Sequence, residues 1–444
     1  MTESFVVQSA RGARQASLTL AALSLEVRNG ALEAMAQAVE TRREEILAAN
    51  AQDRAAAQKL VDAGHITQAA AKRLDLSGAK LDGVIEGLRS VAALPDPLGC
   101  VQRATELDEG LNLYRVSCPI GVIAMIFESR PDALPQIASL CLKSGNAVLM
   151  KGGSEALGTN RVLARVLDEA ARSAGAPAGW MTLLETREEI AEILDLDEWI
   201  DLIVPRGSNE FVRYIMDHTK IPVTGHRDGI CHTYIHAAAD GEKAVRIAVD
   251  AKCQYPAVCN ATETLLFDRE SVERVGRVVL EAFLERGVEL RLCPETRAAL
   301  AAQGFAVERC GEAVEADWKT EYLDLILSVR TVADLDAAIE HINRYGSHHT
   351  DAIVTEDAAA AERFLARVDS SSVVHNASTR FADGFRYGLG AELGISTEKI
   401  HSRGPVGLEG LTIYKYQLCG SGQVVADYSG PQARKYTHRT LPTG

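Results

Sequence analysis

GVIAMIFESRPDALPQIASLCLKSGNAVLMK, residues 121–151, decides the fold. It opens on a short apolar run, passes through a stretch at helical spacing that ends near Lys143, and closes on a second apolar run, Asn146 to Lys151. Two such runs joined by a helix fit parallel strands, because a parallel pair needs a crossover and the crossover helix covers the sheet. The cadence continues with a long helix from about Ser154, MTLLE at 181–185, a short helix, DLIVP at 201–205, another helix, and IPVTG at 221–225. This predicts a doubly wound, parallel α/β sheet. Ligands of such sheets bind beyond the carboxyl ends of the strands, so Phe127, Lys151, Pro205 and Gly225 mark the rim.

On the N-terminal side, residues from about Ser17 to Ala92 are rich in Ala, Leu, Glu and Arg. Apolar positions such as Leu32, Met35, Val39, Ile46 and Leu47 recur at helical spacing, which predicts a helical layer. Asp96-Pro97-Leu98-Gly99 ends it, and Thr105 to Tyr114 alternates on both sides of Asp108-Glu109-Gly110, the pattern of a β-hairpin. A second α/β region runs from about Asp228 to Ile400, with strands expected near Glu263–Phe267, Leu323–Val329, Asp351–Val354 and Ser372–His375. From Leu411 onward the tail again alternates like edge strands. It fits either a dimerising partner of the hairpin or a strand completing the chain's own sheet.

At 444 residues the chain exceeds one ordinary core, so two or three domains are expected. Lys and Arg number 47 against 61 acidic residues, a net charge of −14 that repels phosphate backbones and argues against nucleic acid. An anionic substrate would need a local cluster of cations. The nine cysteines are odd in number and scattered, and no charged-then-apolar leader opens the chain, which predicts a reduced, cytoplasmic protein. The longest apolar runs, such as Val122 to Phe127, fall far short of the ~20 residues of a membrane-spanning helix, so no membrane association is expected.

Chemistry concentrates in AKCQYPAVCNATETL, residues 251–265, with Cys253 and Cys259. Their spacing matches no zinc signature, so no metal is expected, and a reducing compartment disfavours a disulfide. Two readings stay open on the residues: small buried hydrophobes, or a nucleophile with a bystander. Cys259 stands at a loop-to-element junction followed by the amide of Asn260, where a lowered pKa and an oxyanion site could both be built. Other motifs are weaker. Gly388-Leu-Gly-Ala-Glu-Leu-Gly394 has the wrong spacing for a dinucleotide loop and no buried strand before it. Gly153 to Gly158 lacks the lysine of a phosphate-binding loop. His226, His232 and His236 read as surface or core residues rather than ligands, and the acidic stretch near Glu188–Asp197 as a solvated helix face.

Seven stretches in order carry a resemblance: CPIGVIAMIFESRPDALPQ (118–136), NAVLMKGGSEA (146–156), VPRGSNEFV (204–212), IPVTGHRDGICH (221–232), YPAVCNATETLL (255–266), EHINRYGSHHTDAIVTED (340–357) and VHNASTRFADGFRYGLGAELGIS (374–396). Together they resemble the gamma-glutamyl phosphate reductase branch of the aldehyde dehydrogenase superfamily, over nearly the whole chain. The resemblance implies two doubly wound α/β domains plus a small β oligomerisation element. Residues 1–99 and 117–226 would bind NADPH, 227–410 would be catalytic, and 100–116 with 411–444 would form the hairpin and C-terminal strands of a homo-oligomer. It also turns the 388–394 glycines into part of a substrate-side segment.

Site residues follow by motif. The resemblance implies Cys259 as nucleophile, with Asn260 or the Cys259 N–H holding the oxyanion. Lys151 would contact the adenosine ribose, Gly207 and Ser208 would face the cofactor phosphates at a helix N-terminus, and Glu321 would hold the nicotinamide ribose. Gly152 and Gly153, with Ser154, would leave room and a donor for the 2′-phosphate of NADPH/NADP+. On the substrate side stand Asn376, Ser378 and Arg380, with Arg380 or Arg403 as the cation for the α-carboxylate. Ungapped counting from Gly121 places Arg130 where the superfamily usually carries an oxyanion asparagine. Arg130 and Ser129 are therefore expected to bind the leaving phosphate, against the alternative of Arg130 bracing its loop through Glu128 or Asp132.

The implied reaction reduces L-glutamyl 5-phosphate with NADPH to L-glutamate 5-semialdehyde and phosphate through a Cys259 thioester, the second step of L-proline biosynthesis. A separate glutamate 5-kinase would supply the acyl phosphate. The alternative is a hydrolytic NAD(P)-dependent semialdehyde dehydrogenase, which would need a glutamate base that Gly225 to Gly229 lacks; His226 or Asp228 could manage a proton there. A thiol acyltransferase or amidase would want a histidine within reach of Cys259, and would leave Lys151, Gly207 and Glu321 unexplained.

Overall fold

The computed structural model describes residues 3–225 and 228–443. Two units divide the chain: Met1–Thr224 with Leu389–Gly394 and Val406–Gly444, and Gly225–Gly388 with Ile395–Pro405. The first begins with helices α1 (Phe5–Leu20), α2 (Leu25–Thr41), α3 (Arg43–Asp62), α4 (Gln68–Arg73) and α5 (Ala79–Ala93), the expected helical layer. A hairpin, β1 (Val101–Asp108) and β2 (Leu111–Pro119), leads into β3 (Val122–Phe127), α6 (Ala133–Lys143), β4 (Ala147–Lys151), α7 (Leu157–Ser173), β5 (Met181–Leu184), α8 (Glu188–Ile193), β6 (Leu202–Arg206) and α9 (Asn209–Asp217).

Every residue of β3 and β4 is buried, as parallel strands covered on both faces require. Leu20, Leu32, Met35, Ile137 and Leu163 cover them from the helices, each fully buried and worth roughly 1.5–3 kcal/mol of apolar burial. Asp201 anchors the start of β3: its Oδ2 accepts from Val122 N at 2.8 Å, and its carboxylate accepts from both Arg14 Nη atoms at 2.8 and 2.9 Å. Gly121 is obligatory there, since its φ is 133° and a Cβ would stand 2.2 Å from Asp201 Oδ2. IPVTG is not a full strand. Pro222 has no N–H to extend a ladder, and the segment makes one parallel bridge, Val223 with Ile203.

The sheet order is β5-β4-β3-β6, so the chain reverses direction between β3 and β6, and the loops after these two strands meet at the carboxyl edge. A second sheet in this unit is antiparallel. The tail supplies β16 (Thr412–Cys419) and β17 (Arg439–Leu441), one on each side of the hairpin, in the order β16-β2-β1-β17. The tail thus completes the chain's own sheet, and Tyr414, Tyr416 and Leu418 of its outer strand are exposed.

The second unit holds a parallel sheet ordered β10-β9-β11-β8-β7-β12-β13. Its strands are β7 (Cys231–Ile235), β8 (Thr262–Asp268), β9 (Glu289–Leu292), β10 (Gly311–Glu312), β11 (Ile326–Val332), β12 (Thr350–Val354) and β13 (Ser372–His375), with α10 (Gly241–Cys253) crossing from β7 to β8, and a separate short ladder pairs β14 (Ile395–Ser396) with β15 (Gly404–Pro405). Three strands of the parallel sheet, β7, β9 and β10, lie outside the expected strands. The strand expected from Leu323 begins three residues later, because Leu323 is left-handed at φ 54°. The expected catalytic span 227–410 is also interrupted: Leu393, Val406 and Leu408 are buried in the core of the first unit.

Candidate active site

Cys259 lies in the loop between the end of α10 and the start of β8. His349 is the residue before β12, and β12 and β8 flank β7, so loop and histidine arrive at the amino edge of one sheet. The His349 ring is fully buried, with Nε2 3.2 Å from Cys259 Sγ and Nδ1 2.8 Å from Thr350 Oγ1. Backbone clamps hold the loop. Cys231 Sγ donates to Cys259 O at 3.2 Å, Thr379 Oγ1 donates to Asn260 O at 2.7 Å, and Asn260 Nδ2 donates to Ala382 O at 2.9 Å.

These clamps bring Arg380 to the nucleophile. Ser378 caps the short turn Thr379–Phe381, its Oγ accepting from Arg380 N at 3.2 Å, and Arg380 Nε donates to Gln254 Oε1 at 3.0 Å. Burial lowers the Arg380 pKa from the ordinary guanidinium value, Arg386 lowers it further, and the Cys259 sulfur acts in the opposite sense. Of the two expected carboxylate cations, Arg380 is therefore the one beside Cys259. Arg403 is bonded to Asp369, through its carboxylate at 3.1 Å and its carbonyl at 3.0 Å.

Glu321 also comes close. A Cβ on Gly229 would stand 2.4 Å from Cys259 Cα and 2.6 Å from Glu321 Oε1, so the two are separated by little more than the Gly229 backbone. Cys253, at the end of α10, packs against the core of the second unit, and burial pushes its thiol pKa up. Asn376 does not join the group. Its Oδ1 accepts from Thr355 N at 2.9 Å and its Nδ2 donates to Thr355 O at 2.8 Å, which places it beyond the carboxyl end of β12. The five residues of β12 separate Thr355 from His349, six steps or about 20 Å along the strand at the usual rise. The amide of Asn376, expected on the substrate side, is bonded at both ends to backbone.

In the first unit the residues expected to hold a cofactor stand on the carboxyl edge. Ser208 is the N-cap of α9, its hydroxyl makes no capping bond, and Gly207 packs against Glu128 of the loop after β3. That helix end, at the point where the strand order reverses, suits an anionic group. Lys151 is buried at the end of β4, with Nζ 2.5 Å from Gly152 O, and burial lowers its pKa. The expectation of open space at Gly153 needs correction. A Cβ there would stand 1.9 Å from Ser129 Oγ and 2.7 Å from Ser129 N, so the glycine admits the loop after β3. Ser129 Oγ donates to Glu155, and Arg130 pairs with Asp132 at 2.8 Å, the loop-brace arrangement. His226 lies outside the described residues.

Pattern reasoning missed His349, 90 residues from Cys259, and the fully buried pair Lys252–Glu263. SHH directly before a strand was the available signal for the first; a charged residue four places after the cysteine, just ahead of the apolar run Leu265–Phe267, was the signal for the second.

The half-buried thiol beside a buried imidazole would suit any thiol acyl-transfer enzyme; the doubly wound sheet with an uncapped helix end at its switch point is the part that fits an aldehyde dehydrogenase. The aldehyde dehydrogenase family model matches residues 1–315, a match that ends before Glu321. Gamma-glutamyl phosphate reductase of Methanosarcina barkeri is 55% identical over 430 residues, covering 97% of this chain and 96% of that protein. The same enzyme of Methanococcoides burtonii is 53% identical over 437 residues, 98% and 97% of the two chains. The crystal structure of gamma-glutamyl phosphate reductase from Thermotoga maritima matches with a TM-score of 0.90 at 36% identity, over 95% of this chain and 100% of that one. An acetylating aldehyde dehydrogenase from Geobacillus thermoglucosidasius, 19% identical with a TM-score of 0.63 over 94% and 97% of the two chains, shares the fold. The chain belongs to the gamma-glutamyl phosphate reductase family, oxidoreductases of the glutamyl-phosphate reduction step of proline biosynthesis whose fold binds a nicotinamide cofactor.

Proposed function

We propose that Cys259, with His349 as its proton partner and Arg380 as the charge beside it, takes up the acyl group of L-glutamyl 5-phosphate, and that NADPH is the reductant. The observation that carries this reading is the 3.2 Å approach of His349 Nε2 to Cys259 Sγ at a buried ring. An imidazole at that distance accepts the thiol proton, and a neighbouring guanidinium favours the thiolate. The thiolate attacks the acyl carbon, and phosphate departs with the electron pair of the broken C–O bond. An acyl phosphate is already activated, so no strong acid is required.

The nicotinamide cofactor, when bound, supplies the hydride that reduces the Cys259 thioester. The resulting thiohemiacetal oxyanion collapses to the aldehyde and expels the Cys259 thiolate, whose charge the His349 imidazolium and Arg380 balance. Lys151 and Ser154 would hold the adenosine ribose and its 2′-phosphate, Gly207 and Ser208 the phosphates, and Glu321 the nicotinamide ribose. Gly153 would serve by seating Ser129 rather than by leaving space. Asn260 would position both Cys259 and the Arg380 turn through its bond to Ala382 O. Ser129 and Arg130 keep their proposed role toward the leaving phosphate by sequence position; the half-exposed Arg130–Asp132 pair, worth about 0–1 kcal/mol, exchanges readily for a phosphate.

Gly225 to Gly229 contains no glutamate to activate water, which suits an enzyme that must protect its thioester from hydrolysis. The reading includes a cytoplasmic setting, a glutamate 5-kinase as supplier of the acyl phosphate, and a second copy of the chain pairing at the outer strand β16. The test follows NADPH formation from glutamate semialdehyde and NADP+, with and without phosphate. Strict phosphate dependence and preference for NADP+ over NAD+ are expected. Turnover without phosphate would replace this reading with the hydrolytic one.

A further inference from the structure

Lys252, at the end of α10, and Glu263, in β8, form an ion pair of 2.6 Å with both side chains fully buried. Neither residue has a part in the chemistry above. Removing two charges from water is costly, so a pair of this kind is a poor device for stability alone and calls for another account. The second oxygen of the carboxylate supplies one: Glu263 Oε1 accepts from Leu323 N at 3.3 Å. Leu323 has the left-handed φ of 54°, a conformation a leucine holds only when its surroundings impose it. Two residues before it stands Glu321.

The residue between them is held on the same side. Lys252 Nζ lies 5.9 Å from the centroid of the Tyr322 ring, Arg291 lies 5.0 Å from that centroid, and the Tyr322 hydroxyl is bonded to Asp317 Oδ1 at 2.7 Å and Ser328 Oγ at 2.6 Å. The turn 321–323 is thus fixed at the tyrosine ring, at its hydroxyl and at the Leu323 N–H. Both members of the buried pair touch it.

We propose that the Lys252–Glu263 pair is a positioning device that fixes the Glu321 carboxylate through the left-handed turn at Leu323, and so sets affinity for the cofactor rather than the rate of acyl transfer. The inference rests on the assignment of Glu321 to the nicotinamide ribose. The pair keeps the Leu323 acceptor charged in a dry setting, where a hydrogen bond to an ionised group is strong and directional. Burial pushes the Glu263 carboxyl up and the Glu321 charge adds to the push, while the Lys252 ammonium 2.6 Å away opposes both and favours the carboxylate.

The experiment compares Glu263→Gln, the double variant Lys252→Met with Glu263→Met, Glu321→Ala, and the double variant placed in the Glu321→Ala background. Removing both charges together leaves no unpaired ion, so the double variant is expected to fold. Expected for the double variant is a rise of about tenfold in KM for NADPH, the size that one misplaced charge-assisted hydrogen bond produces, with kcat and the rate of Cys259 alkylation by iodoacetamide little changed. Glu263→Gln keeps an acceptor for Leu323 N and should recover much of the affinity. In the Glu321→Ala background the double variant should add nothing, because a positioning role acts only through the residue positioned. A folded double variant with wild-type KM for NADPH, or one whose effect persists fully without Glu321, overturns the proposal. If Glu321→Ala itself leaves that KM unchanged, the ribose assignment falls and the proposal with it.

Discussion

Replacing Gly229 by alanine probes the packing that puts Cys259 in place. The new Cβ would stand 2.2 Å from the Cys259 carbonyl oxygen, 2.4 Å from Cys259 Cα and 2.6 Å from Glu321 Oε1. Carbon atoms in contact sit about 3.5–4.0 Å apart, so Cys259 Cα must retreat by about 1 Å or more. It cannot swing aside as a side chain would, because the bonds from Cys231 Sγ, Thr379 Oγ1 and Asn260 Nδ2 tie the loop to its surroundings. Overpacking of this kind costs roughly 1–3 kcal/mol of stability. A reacting group misplaced by about 1 Å loses roughly 10²-fold in rate, or about 2.7 kcal/mol of transition-state stabilisation. The expected outcome is a folded enzyme with kcat/KM lowered about 10²-fold in phosphate-dependent NADPH formation, and a lowered unfolding midpoint. Gly83→Ala is the matched control: Gly83 lies inside α5, a Cβ there meets nothing within 4 Å, and the change should stabilise by about 0.5–1 kcal/mol with activity intact. Wild-type kinetics and an unchanged midpoint in Gly229→Ala would refute the close approach of residue 229 to the nucleophile.

Cys259→Ser should abolish hydride transfer, whereas Cys253→Ser, altering a core contact of the second unit, should lose about 1 kcal/mol of stability and keep most of its activity; equal kinetic losses would undo the distinction between the two thiols. His349→Asn should lower kcat by roughly 10²–10⁴-fold and slow Cys259 alkylation at neutral pH, and an unchanged alkylation rate across the pH range would remove the imidazole from the thiol's proton chemistry. Asn376→Ala breaks two bonds to the Thr355 backbone, so unfolding should become easier by about 1–3 kcal/mol while KM for the semialdehyde stays put; a raised KM without a stability change would restore Asn376 to the substrate.

Periodicity was sufficient for the architecture where two-sided burial is filled by apolar side chains. Residues 122–127 and 147–150 are apolar because both faces are covered, and that constraint is written locally. The short strand β9, ELRL, alternates over four residues only, too short a run to mark a strand by itself. β7, CHTYI, carries polar residues inward because it borders the catalytic loop, so its strand character was hidden.

Motif order was likewise sufficient for the family and for Cys259, since collinear matches along the chain do not depend on geometry. What residues do to one another was not legible. His349 and Cys259 meet only because β12 and β8 lie on either side of β7, a pairing set by sheet order and not by sequence distance. Gly153 read as open space and proved to be the seat of Ser129. Asn376 read as a substrate contact, and the structure shows its amide bonded at both ends to the Thr355 backbone. Chain composition and pattern determine which surfaces must be buried; which side chains then share an edge is decided by strand order and by the direction in which each loop leaves the sheet, and both are properties of the assembled fold.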